Sequence, residues 1–296
     1  MKVDTRHWEG CAAEEFIAYE TTDLNHRISA ERFRYYRCGR CGLVRLINPP
    51  ENLSGYYPPS YHEFPSLHEL GQIADKSRCK IDTVLKFVQS GKLLEIGPSY
   101  GLFAYQAKQA GFDVHTIEMD EKCCEYMEDV VGLRVVCSNK PEDALRKMEK
   151  HNVITLWHVI EHLTDPWEVL RSASENLEAG GILVIAAPNP ESWQFGVMGA
   201  QWPHLDAPRH LYLFPISLLA DYGGSLGLSL EYVTTTDADA KSWNRFGWQR
   251  WLMNRVNNRW LERLAYLAGY AVSLATVFLD GREPQGSAYT IVFRKD

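Results

Sequence analysis

The sequence has no apolar N-terminal stretch: its opening, MKVDTRHWEG, is polar where a secretory leader carries its hydrophobic segment, so a cytoplasmic location is expected. It has no internal repeat and no low-complexity tract, which argues against solenoids and disordered linkers. Positive charge is in deficit, with 31 Lys and Arg against 38 Asp and Glu and a formal net charge of -7, so nothing general draws the chain to nucleic acid. An uncharged run of 16 residues at 264–279 falls short of the roughly 20 needed to span a bilayer. The seven cysteines are an odd number without repeated spacing, which points away from a disulfide framework and towards thiols or a metal. What is present, 296 residues with 45% hydrophobic composition, can bury one sizeable core and a smaller one.

The first informative stretch is LLEIGPSYGLFAYQAKQAGFDVHTIEMD, residues 93–120. Leu93, Leu94 and Ile96 form the short apolar run of a buried parallel strand, and Gly97 ends it at a sharp turn. From Gly101, Phe103, Ala107 and Ala110 recur at helical spacing, and Gly111 is a C-terminal stop. A second strand, FDVHTIE, then delivers Glu118 to its carboxyl end, where a carboxylate can accept from both hydroxyls of a ribose. The turn Gly97, Pro98, Ser99, Tyr100, Gly101 lacks the middle glycine that lets a pyrophosphate approach, which disfavours a dinucleotide.

EIGPSYG resembles motif I of class I S-adenosylmethionine-dependent methyltransferases, with Ser99 in place of the middle glycine. The resemblance implies that Glu95 lies near the methionine end of the cofactor, that Gly97, Ser99 and Gly101 pass beneath it, that Glu118 holds the ribose and that Met119 packs on the adenine. It covers roughly residues 65–296 and implies an α/β fold, a Rossmann-like seven-stranded methyltransferase sheet whose last strand is antiparallel and inserted beside the fifth. Strand candidates that complete the sheet are LRVVC from Leu133, VITLW from Val153, ILVIAA from Ile182, LEYVTT from Leu230 and AYTIVF from Ala288. Between them TDPWEVL reads as a helix start, with Asp165 as cap, Pro166 in the first position, Glu168 completing a capping box, and AGG as the close.

Residues just after the strands are where an open α/β sheet binds ligands. WHVIEHLTDP resembles the post-strand segment of methyltransferases related to ubiquinone-biosynthesis O-methyltransferases and glycan-cluster enzymes. Trp157 is a candidate cofactor contact; His158, Glu161 and His162 fall on one helical turn, so either histidine can serve as a general base and Glu161 can meet substrate or brace the loop. QWPHLDAPRHLYLFP resembles the substrate loop of the same enzymes: Arg209 is a candidate clamp for an acceptor anion, His204 a substrate contact and His210 a base, or these residues pin the loop. Tyr61, in GYYPPSYHEF, is a candidate lid over the cofactor.

Residues 1–62 are expected to form a zinc-ribbon-like N-terminal module and linker, with the methyltransferase domain over 63–296. Cys38 and Cys41 make a C-x-x-C turn, and Cys11 and His7 would complete a Cys3His set for a structural zinc or leave a relic without metal. A helical insertion is expected over about 238–282. Residues 241–263 carry six cations against one anion and four tryptophans, so the insertion either caps the crevice or a dimer face, or lies at the inner face of a membrane through 241–279. The expected activity is methyl transfer from S-adenosylmethionine to a small-molecule acceptor, such as a saccharide or a lipid-linked intermediate. The alternatives are an RNA methyltransferase and a catalytically inactive methyltransferase-fold binding protein.

Overall fold

The structure, a computed structural model, describes Cys11, residues 15–58 and residues 63–296. The chain opens with three strands, β1 (Glu15–Thr21), β2 (Phe33–Cys38) and β3 (Val44–Leu46). Two helices, α1 (Leu67–Lys76) and α2 (Cys79–Leu85), lead into the expected alternation. It runs β4 (Lys92–Ile96), α3 (Leu102–Gln109), β5 (Asp113–Glu118), α4 (Glu121–Tyr126), β6 (Arg134–Cys137), α5 (Pro141–Leu145), β7 (His151–Trp157), α6 (Pro166–Asn176) and β8 (Leu177–Pro188). After these come α7 (Trp193–Met198), β9 (Tyr212–Leu213), α8 (Ile216–Ser225) and β10 (Leu228–Thr234). Helices α9 (Ala238–Met253), α10 (Arg259–Ala275) and α11 (Val277–Asp280) precede the last strand, β11 (Ala288–Lys295).

The main sheet has the order β10-β11-β8-β7-β4-β5-β6, parallel from β8 to β6, with β11 antiparallel between β8 and β10. This is the Rossmann-like methyltransferase arrangement. Its central strands are apolar on both faces because helices cover both. Alternation along each strand sends Leu94, Ile154 and Leu183 to the side of α6 and α8, and Leu93, Val153 and Ile182 to the side of α3.

Helix α6 starts as expected: the Asp165 side chain accepts from the Glu168 amide at 3.1 Å and Pro166 follows. The capping box is not completed, because the Glu168 carboxylate pairs with Arg146. Nor does AGG close this helix. Asn176 ends it by spending its side chain on the carbonyls of Leu145 and Met148 and on His151 Nδ1, after which Leu177 is extended and residues 179–181 run within β8.

The N-terminal strands take a fourth partner from far along the chain. Strand β9 pairs with β3, Val44 against Leu213 and Arg45 against Tyr212, making a second sheet of order β1-β2-β3-β9. Phe33, Tyr35 and Val44 share a core with Trp202, Leu205 and Trp248, so the segment after β8 folds onto the N-terminal sheet. Helix α10 lies on α9 where Gly269 allows close approach; a Cβ there would stand 2.4 Å from Gln249 Cα. Its far side leaves Trp260, Leu264, Leu267 and Leu274 exposed, and Phe278 of α11 is exposed beyond its end. Among the described residues no helix is long and apolar enough to cross a membrane.

Candidate functional site

The carboxyl ends of β7, β4 and β5 lie side by side, where an open α/β sheet offers its ligand crevice. At the end of β4 the chain turns with positive φ at Gly97 (66°), Ser99 (54°) and Gly101 (81°). Glycine is required at the first for a second reason: a Cβ would come within 2.7 Å of Val159. Ser99 adopts the left-handed conformation at the middle position, and its amide donates to Glu118 Oε2 at 2.9 Å. The other oxygen of Glu118 accepts from the amides of Met119 (2.7 Å) and Asp120 (3.0 Å). Three backbone donors therefore fix the acid at the end of β5, with lone pairs remaining on Oε2. Met119 stands at the rim, 68% exposed.

Glu95 is buried on β4, and its Oε2 has no hydrogen-bond partner among the described residues. Burial pushes its carboxyl up to about 8, against the pull of the Lys80 ammonium and an amide hydrogen bond from Ala104. Lys80 lies over the ring of Trp157, 5.2 Å from its centroid, and Trp157 packs edge-on against Phe103. The indole Nε1 of Trp157 is also without a partner. Unmatched buried polar atoms are costly, and a polar ligand at the ends of β4 and β7 can satisfy both.

Directly after β7, His158 has φ 58° and stacks on Trp243 with ring centroids 4.1 Å apart. Its Nε2 is 2.6 Å from Asp239 Oδ2, and its Nδ1 has no hydrogen-bond partner, Glu161 Oε1 being 3.8 Å away. Burial alone would raise the Asp239 carboxyl, but the His158 charge and hydrogen bond and the Lys80 charge outweigh it and bring it to about 2. Asp239 and Trp243 come from α9, so the insertion caps the crevice. Composition singled out Trp243 only as one of several aromatics, and neither Asp239 nor Lys80 belongs to a motif; the insertion's position between the last two strands was the only signal for Asp239 and Trp243, and Lys80, on α2, had none.

Deeper in, Glu161 is fully buried, both its carboxylate oxygens lack partners, and burial pushes it up to about 8. His162 Nδ1 is 3.0 Å from Arg209 O and His210 Nδ1 is 2.8 Å from His204 O, with the two rings edge-on at 4.6 Å. Burial drives His204 and His210 down to about 3, so both are neutral near neutral pH. His210 is thus poorly matched to the general-base role expected of it. His204, expected to meet substrate, is buried and donates from Nε2 to Trp243 O at 2.9 Å.

Arg209, expected as a clamp for an acceptor anion, is instead wholly buried within the protein. Its guanidinium donates to both oxygens of Asp206 (2.9 and 2.8 Å), to Asp23 (2.7 Å) and to Tyr56 O (2.9 Å). Those bonds pin the 203–213 segment to the N-terminal sheet and leave no fork for a ligand.

At the N-terminal sheet the sulfurs of Cys11 and Cys38 are 3.7 Å apart, and one ligand atom from each of Cys11, Cys38 and Cys41 lies within 4.8 Å of the others. His7 and Tyr61 lie outside the described residues.

A family profile described as a methyltransferase domain matches residues 71–233, more than half of the chain. The chain belongs to this methyltransferase family. It is 26% identical over 129 residues to a ubiquinone biosynthesis O-methyltransferase of Bordetella avium, covering 41% of this chain and 54% of that protein. The chain thus spans about half the length of that curated relative. A ubiquinone biosynthesis O-methyltransferase of Saccharophagus degradans is 24% identical over 181 residues, 57% of this chain and 75% of the other. Among solved structures, an S-adenosylmethionine-dependent methyltransferase of Mesorhizobium loti superposes with a TM-score of 0.50 at 12% identity, over 75% of this chain and 100% of the other, a likeness of fold.

In this methyltransferase-family protein, the matched segment contains Glu95, Gly97, Ser99, Gly101, Glu118, Trp157 and His158, all at the carboxyl ends of adjacent strands. The residues fit S-adenosylmethionine: a buried acid with one unmatched oxygen suits an ammonium, and an acid fixed at the end of the neighbouring strand suits a diol.

Proposed function

We propose that the protein transfers the methyl group of S-adenosylmethionine to an oxygen of a small-molecule acceptor. The observation that carries this reading is the buried, partnerless Oε2 of Glu95 beside the anchored Glu118, within the segment matched by the methyltransferase profile. The cofactor supplies a methyl group on a sulfonium, ready for in-line attack. Glu95 would pair with its ammonium, Glu118 would accept from the ribose hydroxyls, and Trp157 would donate from Nε1. His158 would take the acceptor proton on Nδ1, with Asp239 holding the opposite ring nitrogen and stabilising the charge that develops. The oxygen assignment is supported by the two ubiquinone biosynthesis relatives.

A lipid-linked acceptor is the version of this reading that the insertion favours. The far side of α10 is apolar along its length, and Arg255, Arg259 and Arg263 flank its start, the pattern of a helix lying on an anionic lipid surface. For the cysteine cluster we propose a structural zinc. Bonds of 2.3 Å to a tetrahedral ion set sulfurs about 3.8 Å apart, close to the spacing of Cys11 and Cys38, and His7 is the proposed fourth ligand.

The test is transfer of labelled methyl from S-adenosylmethionine into a host extract separated into soluble metabolites, lipids and RNA. Label in the metabolite or lipid fraction is expected, the lipid fraction if α10 serves a membrane. Label confined to RNA would overturn the acceptor assignment, and cofactor binding without label in any fraction would shift the protein to a non-catalytic role.

A further inference from the structure

Glu161 and His162, just past β7, meet His210, just before β9, in an arrangement that proton transfer does not explain. One ligand atom from each of Glu161, His162 and His210 lies within 4.8 Å of the other two. His162 Nδ1 and His210 Nδ1 each face a backbone carbonyl, at 3.0 and 2.8 Å. A carbonyl only accepts, so both Nδ1 atoms carry the proton and both Nε2 atoms keep a lone pair. This is the tautomer and the outer bonding that metal-ligating histidines adopt. Between them sits a fully buried carboxylate with no partner on either oxygen, which an apolar environment does not tolerate as an anion unless a cation joins it.

We infer that Glu161, His162 and His210 bind a divalent cation of the zinc class, leaving coordination positions open towards the crevice for an acceptor oxygen. Two imidazoles and one carboxylate suit zinc and its transition-metal neighbours better than magnesium or calcium, which prefer all-oxygen sets. Three protein ligands leave at least one position vacant in a tetrahedral ion. Bond lengths of about 2.0–2.2 Å set ligand atoms about 3.5 Å apart, so atoms already within 4.8 Å of one another need close by little more than about 1 Å at most.

The cation's role in the reaction rests on the methyl-transfer reading; its binding does not. Coordination lowers the pKa of a hydroxyl as it does that of water. In the transfer, the acceptor O–H bond breaks and its proton passes to His158 Nδ1. An oxygen lone pair forms the new bond to the methyl carbon, the carbon–sulfur pair stays on sulfur, and a neutral thioether leaves. The cation changes neither oxidation state nor ligands from the protein. Asp206, 4.0 Å from His210 Nε2, is already engaged by Arg209 and acts on the cluster as a nearby charge.

The experiment uses the full chain, stripped with chelator and titrated with Co2+ without cofactor, followed by absorption and calorimetry. One Co2+ per chain with weak d–d bands and no sulfur charge-transfer band is expected, apart from any Co2+ held by thiolates. Glu161→Gln, which is isosteric, and His210→Asn, which keeps a donor for His204 O, are each expected to weaken that binding by about 100-fold or more, beyond the about 10–100-fold effect of losing an outer-shell partner. Near-ultraviolet circular dichroism and S-adenosylmethionine binding, both expected unchanged, verify that the variants are folded. Should one variant lose its fold, the other decides. Co2+ bound only with the thiolate signature, or nitrogen and oxygen ligation of undiminished affinity in a folded variant, would overturn the inference. Loss of cofactor binding by the unaltered protein, with Co2+ binding intact, would instead sink the methyl-transfer reading and leave this one standing.

Discussion

Because Glu95 is buried at the end of β4, its carboxyl keeps a proton up to about pH 8, and an arriving ammonium must displace that proton. The sign follows from linkage: the free protein binds more protons than the complex, so affinity for S-adenosylmethionine should rise with pH up to about 8 and fall by about tenfold for each unit below it. Glu95→Gln should abolish this slope and weaken binding by about 10–100-fold, the worth of one hydrogen bond to a charged group, as read by calorimetry across pH. A second residue-scale case has the opposite sign. Asp206 is held well below the usual carboxylate range: burial raises it, and the Arg209 hydrogen bonds and charge more than reverse this, helped by His210. A depressed carboxyl contributes stability that is fully present above about pH 3.9 and lost as pH falls towards its folded value. Asp206→Asn should therefore shift less with acid than the unaltered protein. Arg209→Met leaves Asp23 and Asp206 buried and unpaired, and denaturant midpoints should show a loss of about 3–5 kcal/mol.

At the scale of elements, α9 does two things at once: its first two turns bring Asp239 and Trp243 to His158, and its far end receives α10 at Gly269. A side chain at 269 meets backbone, which cannot move aside, so Gly269→Val should separate the helices, cost about 1–3 kcal/mol in thermal unfolding and disturb the His158 contact. If the far face of α10 rests on lipid, Leu267→Glu and Leu274→Glu should each reduce sedimentation with anionic vesicles while leaving cofactor affinity unchanged. The strand, turn and helix from Leu93 to Gly111 were legible because each depends on neighbours within a few residues, and so was the antiparallel place of β11 once motif I was in view. The cap on His158 was not, because its partner stands 81 residues away and the pairing exists only after α9 folds back. Arg209 looked like a ligand clamp for the same reason: nothing near it in sequence reveals that Asp23 will arrive from the N-terminal sheet. The 179–181 segment read as a helix stop because its glycines were visible, whereas the tertiary bonds of Asn176 that end α6 earlier were not.

For the whole molecule, the two sheets are joined where the crevice is built. The segment that carries His210 is strung between β8 and β9, and Arg209 ties it to Asp23 just after β1 and to Tyr56 after β3. Removing the proposed zinc should therefore be felt beyond the cysteines: Cys38→Ser, which spares Glu161, His162 and His210, should raise amide exchange in β2 and β3 and in residues 203–213 together, while β4 and β5 stay protected. The same joint has a consequence in time. The third strand of the N-terminal sheet waits for a mate that is translated about 166 residues later, which at about 5–20 residues per second is roughly 8–30 seconds. Throughout that interval the nascent chain offers the bare edge of β3, with its neighbouring Phe33 and Tyr35 uncovered, to whatever meets it outside the ribosome.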